Sequence, residues 1–224
     1  MKKAELVFIP VSATGHLIPN IELAKRFLGR DNRFSITILV IDFPTDTSIT
    51  AAYTNSFVES NPQIKFIYLP PTADFSPSQE ADKSVEKFLT EFIDCHKASV
   101  KETIVKHVLS GSDSSSLAGL VVDFFCTSMI DVANELGTPS YLFFPSSAAY
   151  LVPSSGLPPV FKQKMEATLH LEPWKKIQGG QWDYVNTFEQ LESHAVKCLM
   201  NDHDNVPPVY AVGPAIDLES QSDK

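Results

Sequence analysis

The most constraining feature of the chain is a strand–turn–helix signature over residues 7–28, VFIPVSATGHLIPNIELAKRFL. An apolar run typical of a strand opens it, and apolar residues then recur at helical spacing: Ile21, Leu23, Ala24, Phe27 and Leu28. Pro19 suits the first turn of that helix, where a missing N–H costs nothing, and Gly29 suits its end. We therefore expect Gly15 and His16 in the turn between strand and helix. In a parallel sheet this turn opens at the carboxyl edge, where α/β folds bind ligands, so His16 is expected to face a cleft.

Strand and helix patterns alternate along the rest of the chain. Strands are predicted at Phe34–Asp42, Ile64–Leu69, Leu117–Asp123 and Ser140–Phe144, with weaker signals at Trp182–Thr187 and Pro208–Val212. Helices are predicted at Asp46–Glu59, Gln79–Leu109 and Ser128–Leu136, with weaker signals at Val160–Leu169 and Phe188–Leu199. This alternation predicts an α/β fold with a Rossmann-like, doubly wound parallel sheet. The single glycine of SATGH does not match G-x-G-x-x-G, so dinucleotide binding of that type is disfavoured.

Composition limits the classes of function. The 224 residues are 43% hydrophobic and 20% charged, as expected for a soluble globular protein. The net charge of −9 argues against nucleic acid as a partner, because polyphosphate binding needs clustered Lys and Arg. Three widely spaced cysteines form neither a disulfide framework nor a metal pattern, which indicates a reducing compartment. No run is long enough to span a membrane, and the start MKKAELVFIP does not suit a signal peptide, so a cytoplasmic location is expected.

Two polar residues, His16 and Asp123, are expected at the same edge of the sheet, because each follows or ends a buried strand. A carboxylate on one ring nitrogen of a histidine holds the ring in one tautomer and stabilises the imidazolium. Such a pair can remove a proton from a hydroxyl group near neutral pH. The spacing leaves a second interpretation open, in which both residues only cap the helices that follow them. Cys126, with no base near it in the sequence, is interpreted as a core residue rather than a nucleophile.

Several motifs stand in order along the chain. They are F-I-P-x-x-x-x-G-H-L-x-P with a following L-A-K, then VVDFFCTSMIDVANELGTPSYLFFPSSAAYL from Val121 to Leu151, then VNTFEQLESHAV and PPVYAVGP. Together they resemble the plant family 1 UDP-dependent glycosyltransferases that act on small molecules, and the second resembles especially the branch that acts on phenolics. The resemblance covers nearly the whole chain, except about residues 152–181. It implies the amino-terminal, acceptor-binding half of a GT-B fold.

The resemblance also implies roles for individual residues. His16 matches the catalytic base that takes a proton from the acceptor hydroxyl, and Asp123 matches the partner of that base. The freed oxygen would attack the anomeric carbon in one inverting displacement, with UDP as the leaving group. Thr14 and Gly15 match the loop that approaches the donor phosphate. The implied co-substrate is a UDP-sugar, with glucose expected as the sugar, and no metal ion or other cofactor is implied.

Two aromatic residues, Phe125 and Tyr150, fall at or near positions that line the acceptor pocket in that family. Phe125 matches one such position, and Tyr150 falls close to another. Ordinary core packing explains either residue equally well, so both interpretations stay open. The acceptor that the resemblance implies is a flavonoid or another small phenolic molecule.

The same resemblance predicts how the chain is organised. Residues 1–213 are expected to form one acceptor-binding domain, shorter than is usual in the family around 151–184, and residues 214–224 to start an interdomain linker. The family's carboxy-terminal donor domain is not expected within this chain, so we expect little transferase activity from the chain alone. Two alternatives remain. One is a catalytically silent module that binds small molecules, and the other is an unrelated nucleotide-binding Rossmann protein.

Overall fold

The computed structural model describes residues 3–42, 59–70, 72, 85–110, 116–148, 182–187, 190, 192–193, 196–197 and 209–215. The strands in this part of the chain are β1 (Ala4–Ile9), β2 (Phe34–Val40), β3 (Ile64–Tyr68), β4 (Ser116–Asp123), β5 (Ser140–Phe144), β6 (Trp182–Val185) and β7 (Val209–Ala211). The helices are α1 (Thr14–Arg30), α2 (Val85–Asp94), α3 (Lys97–Ile104) with a π-helical turn at Val105–Leu109, a 3₁₀ helix (Phe124–Met129) and α4 (Ile130–Glu135).

The seven strands of the described residues form one parallel sheet with the order β3-β2-β1-β4-β5-β6-β7. The direction of strand addition reverses between β1 and β4, which is the switch point of a doubly wound fold. Each strand predicted from the sequence is present, with small shifts at its ends. The predicted Rossmann-like parallel sheet is therefore confirmed.

Two apolar clusters cover the two faces of the sheet. One cluster packs Phe8 of β1 against Ile21 of α1. The other packs Val7 of β1 against Ile104 of α3 and Met129 of the 3₁₀ helix. Because helices cover both faces, side chains on either side of the central strands are buried. This explains why those strands are continuous apolar runs rather than alternating ones.

Helix α1 begins earlier than predicted. It starts at Thr14, so Gly15 and His16 lie in its first turn rather than in a loop before it, and Pro19 is an internal residue of the helix. The N–H of His16 donates to the carbonyl oxygen of Ala13 at 2.9 Å, which closes the first turn. Pro19 removes one backbone hydrogen bond, the bond to the carbonyl oxygen of Gly15. A helix of 17 residues with a buried apolar face tolerates that loss.

The long helix predicted over Gln79–Leu109 is interrupted. In the described part of that range, α2 ends at Asp94 and α3 begins at Lys97. The buried ring of His96 lies between the two helices, with Nδ1 2.8 Å from the carbonyl oxygen of Phe92 in the last turn of α2. Both helices pack against the same apolar cluster, so the helical spacing of apolar residues continues across the break. For this reason the sequence pattern did not reveal the interruption.

The helix predicted at Ser128–Leu136 also begins earlier. The 3₁₀ helix follows Asp123 directly and runs into α4. Gly137 ends the segment as predicted, with φ of 63° and its N–H donating to the carbonyl oxygen of Asn134 at 3.1 Å. Glycine adopts this left-handed conformation without the steric cost that a Cβ would add.

Some predictions fall largely or wholly outside the described residues. They are the helices at Asp46–Glu59, Val160–Leu169 and Phe188–Leu199, the shortened segment around 151–184, and residues 216–224 of the expected linker. These stay predictions. Of the helices that the structure does describe, none has the length and apolar character needed to cross a membrane.

We expect Gly119 in β4 not to accept a side chain. A Cβ there would lie 2.5 Å from Cε2 of Tyr141 and 3.2 Å from the carbonyl oxygen of Pro139. Tyr141 also contacts Tyr184, with ring centroids 5.8 Å apart, which limits how far its ring can move. Gly119→Ala should therefore lower the free energy of unfolding by about 1–3 kcal/mol. Urea unfolding followed by circular dichroism measures this change.

Gly29→Ala is the matched control for this substitution. Gly29 lies near the end of α1, and a Cβ there would meet nothing within 4 Å. Replacing a helical glycine by alanine should raise the free energy of unfolding by about 0.5–1 kcal/mol. Equal effects of the two substitutions would contradict the close contact at Gly119.

Candidate active site

His16 and Asp123 meet at the carboxyl edge of the sheet. Strands β1 and β4 pair in parallel with Ile9 opposite Val122, so the segments that follow the two strands leave the sheet at the same level. Nδ1 of His16 lies 2.9 Å from Oδ1 and 3.0 Å from Oδ2 of Asp123. The two side chains that the sequence placed at one edge are therefore in hydrogen-bond contact.

The carboxylate determines which ring nitrogen of His16 carries the proton. An ionised carboxylate only accepts hydrogen bonds, so Nδ1 donates and Nε2 of the neutral ring keeps its lone pair. The side chain of His16 is 21% exposed, whereas that of Asp123 is fully buried. Within the described residues the hydrogen bonds of the ring are those of Nδ1. The site thus presents Nε2 on a partly exposed ring that a buried carboxylate orients.

Two further donors contact the Asp123 carboxylate. The backbone N–H of Phe125 donates to Oδ1 at 3.1 Å, and Nδ2 of Asn20 donates to Oδ2 at 3.1 Å. A buried carboxylate is costly unless donors replace the water it has lost, and these bonds do so. Sequence reasoning missed Asn20. The available signal was one polar residue at a buried position of α1, between Leu17 and Ile21.

Phe125 contacts both members of the pair. Its backbone binds Asp123, and its ring centroid lies 4.8 Å from that of His16 with an angle of 39° between the ring planes. The side chain is partly buried and packs against an apolar cluster of the core. The structure thus places Phe125 both against the core and beside the imidazole of His16. In this position Phe125 limits rotation of the imidazole ring.

Thr14 and Gly15 lie in the first turn of α1, next to His16, and both are exposed. A helix leaves its first N–H groups without acceptors of its own. The residue before the helix is Ala13, which has no side-chain oxygen to cap them. A Cβ on Gly15 would meet nothing within 4 Å, so the space beside it is open. These exposed N–H groups are suited to an anionic ligand.

A carboxylate that the sequence analysis did not select joins two loops at the same edge. Oε2 of Glu192 accepts from the backbone N–H of Ala148 at 2.9 Å, and also from the hydroxyl of Thr187. Ala148 follows β5 and Thr187 follows β6, so Glu192 ties the segments after these strands together. Tyr150, the second predicted acceptor-pocket residue, lies outside the described residues.

Cys126 is close to the pair, but its burial does not suit a nucleophile. The residue is fully buried, and burial raises the pKa of its thiol well above the usual range, with a further contribution from the charge of Asp123. A thiol that stays protonated is a poor nucleophile, in agreement with the sequence interpretation. In the part of the chain that the structure describes, no three His, Cys, Asp or Glu side chains come together as ligands of a metal ion would.

Fold and site together define a Rossmann-like α/β protein with a His–Asp pair at the carboxyl edge of its sheet. Over nearly its whole length the chain is similar to plant UDP-glycosyltransferases. UDP-glycosyltransferase 71K2 of Pyrus communis is 42% identical and UDP-glycosyltransferase 71K1 of Malus domestica 41% identical, each over 98% of this chain. A putative UDP-glucose flavonoid 3-O-glucosyltransferase of Fragaria ananassa is 35% identical over 100% of it. The chain spans about half the length of these relatives, 52–53%. No protein-family model matches it.

Solved structures show the same fold. UGT71G1 of Medicago truncatula, complexed with UDP-glucose, is 31% identical with a TM-score of 0.78, over 96% of this chain and 52% of that one. UGT2 of Phytolacca americana, complexed with UDP-2-fluoro-glucose and pterostilbene, is 24% identical with a TM-score of 0.77, which shows the fold alone. The predicted resemblance is thus confirmed, and the fold is the amino-terminal half of a GT-B architecture.

The two described cysteines are expected to react very differently with an alkylating reagent. Cys95 is exposed, whereas Cys126 is buried with a raised pKa. Iodoacetamide at mildly alkaline pH should therefore modify Cys95 in the folded chain and leave Cys126 unmodified, as measured by peptide mapping with mass spectrometry. Both should react in urea. Equal modification of the two thiols in the folded chain would contradict the burial of Cys126.

Proposed function

We propose that this chain supplies the acceptor-binding half of a UDP-dependent glycosyltransferase, which transfers glucose to a hydroxyl group of a flavonoid or similar phenolic molecule. The observation that carries the proposal is the hydrogen bond from His16 Nδ1 to the buried carboxylate of Asp123. The relative from Fragaria ananassa is named for UDP-glucose as donor and a flavonoid as acceptor, and this name supports the proposed sugar and acceptor class. Because the chain spans about half of such relatives, we propose the activity for the chain joined to a donor-binding domain.

In this proposal His16 is the general base. Its Nε2 takes the proton of the acceptor hydroxyl while that oxygen attacks the anomeric carbon of the sugar. Nδ1 keeps its hydrogen bond to Asp123, whose negative charge stabilises the imidazolium as it forms. UDP leaves from the opposite face of the carbon, so the configuration at that carbon inverts. The scheme uses no metal ion.

The start of α1 is proposed to approach the donor diphosphate. Thr14 and Gly15 present exposed N–H groups at the positive end of the helix dipole, and Ala13, the residue before the helix, supplies no side-chain cap. His16 lies in the same helical turn. A phosphate at these groups would therefore bring the sugar close to the base. The remaining contacts with the nucleotide and sugar are assigned to the donor domain.

The acceptor is proposed to bind beside the imidazole. The ring of Phe125 contacts His16 and supplies an apolar surface suited to a phenolic ring. Tyr150 is proposed as a second aromatic wall on the basis of the family resemblance alone. Glu192 supports this region, because it ties Ala148, which follows β5, to Thr187, which follows β6.

We propose residues 1–213 as one domain and the following residues as the start of a linker. One sheet runs from β1 to β7, which supports a single domain over that range. Arg26 of α1 donates to the carbonyl oxygens of Val212 and Pro214, so the proposed boundary is held against the domain. A cytoplasmic location is part of the same proposal and is supported by the sparse, widely spaced cysteines.

A chimera tests the function. This chain is joined, after Ala215, to the carboxy-terminal half of the Pyrus communis relative and is incubated with UDP-glucose and a flavonol. We expect a flavonol glucoside with inverted anomeric configuration, detected by liquid chromatography with mass spectrometry and NMR. The chimera without UDP-glucose is the control. Flavonol binding without any glucoside would instead support the silent binding module, which the intact His16–Asp123 geometry does not favour.

Two substitutions in the chimera test the roles of the pair. His16→Gln removes the base and Asp123→Asn removes the charge that orients it, so each should lower kcat by about 10²–10⁴-fold. Initial rates of glucoside formation measure the effect. His107→Gln is the matched control, because His107 is an exposed histidine on the π-helical turn. A His16→Gln variant with the parent kcat would contradict the proposal.

A further inference from the structure

Asn20 is a buried polar residue on the apolar face of α1. It is 0% exposed, and its neighbours on that face include Leu17 and Ile21. Its Nδ2 lies 2.9 Å from the carbonyl oxygen of His16 and 3.1 Å from Oδ2 of Asp123. One amide group therefore joins the backbone of the residue that carries the imidazole to the carboxylate that the imidazole contacts.

The orientation of this amide follows from its neighbours. The carbonyl of His16 and the carboxylate of Asp123 are both acceptors, so both require the nitrogen of the amide rather than its oxygen. The two hydrogens of Nδ2 are then both used. Oδ1 of Asn20 is buried and has no hydrogen-bond partner within the described residues. An apolar side chain of similar size would avoid this unpaired oxygen, so packing alone does not explain an asparagine here.

We propose that Asn20 is a positioning residue, which holds the Asp123 carboxylate in the plane that faces Nδ1 of His16. Oδ1 of the carboxylate also binds the backbone N–H of Phe125, which belongs to the turn that follows Asp123 itself. Oδ2 receives only the imidazole and Asn20 within the described residues. Without Asn20, the remaining donor to Oδ2 would be the Nδ1–H of His16. That is the group which the carboxylate itself has to orient, so it cannot also hold the carboxylate in place.

The consequence concerns the tautomer of His16. A carboxylate held on Nδ1 keeps the proton there and leaves the lone pair on Nε2, where the proposed reaction needs it. A carboxylate free to rotate about its Cβ–Cγ bond would hold that tautomer less strongly. The catalytic value of this role rests on the proposed function. The tautomer of His16 can nevertheless be measured without any transferase activity.

Imidazole ¹⁵N NMR of the whole 224-residue chain tests the role. The shifts of the two ring nitrogens report which one carries the proton, and the signal missing in His16→Gln assigns the ring. In the parent chain we expect predominantly the Nδ1–H form. In Asn20→Leu, which removes the amide with little change in volume, we expect the Nδ1–H form to lose its predominance in favour of Nε2–H. Asn20→Ala is the second variant, for the case in which leucine prevents folding.

Asn61→Ala is the matched control. Asn61 is another buried asparagine, 4% exposed, but it precedes β3 at the opposite edge of the sheet. The His16 signal should not change in this variant. A parent chain without the Nδ1–H form would overturn both this role and the proposed base. If the parent chain has the Nδ1–H form and the folded Asn20 variants retain it, the role of Asn20 alone is overturned. An equal change of the His16 signal in Asn61→Ala would overturn that role as well.

Discussion

The parallel pairing of β1 with β4 is the constraint on which the site depends. These strands are far apart in the sequence, yet they are neighbours in the sheet, with Ile9 opposite Val122. Because they run in the same direction, the residues after both strands lie at one edge, and His16 meets Asp123 there at 2.9 Å. The pairing persists because helices cover both faces of the sheet, which buries the apolar side chains of both strands.

The buried charge of Asp123 links stability to the proposed chemistry. A carboxylate with no exposed surface requires donors, and here they are the imidazole of His16, the amide of Asn20 and the backbone of Phe125. The bonds that make its burial tolerable are also the bonds that orient the imidazole. Phe125 adds its ring to the same assembly, so the histidine is held from two sides.

Sequence reasoning was accurate for the strands and weaker for the helices. A buried strand such as β5 is a short apolar run, and that signal is contained in the segment itself. The interruption at His96 was missed because apolar periodicity continues through it, while the ring of His96 binds the carbonyl oxygen of Phe92 in the last turn of α2. The start of α1 was placed too late because Pro19 was taken as a first-turn residue, although the helix begins at Thr14.

The sequence by itself determined the order of strands and helices, the edge at which His16 and Asp123 lie, and the resemblance to plant UDP-glycosyltransferases. Each of these depends on patterns local to a segment or on motifs read in order. Tertiary structure alone decided that Nδ1 faces the carboxylate, that Phe125 contacts the imidazole and that Asn20 binds Oδ2. The physical reason is that these contacts join α1 to the end of β4, and their geometry exists only once β1 and β4 have paired.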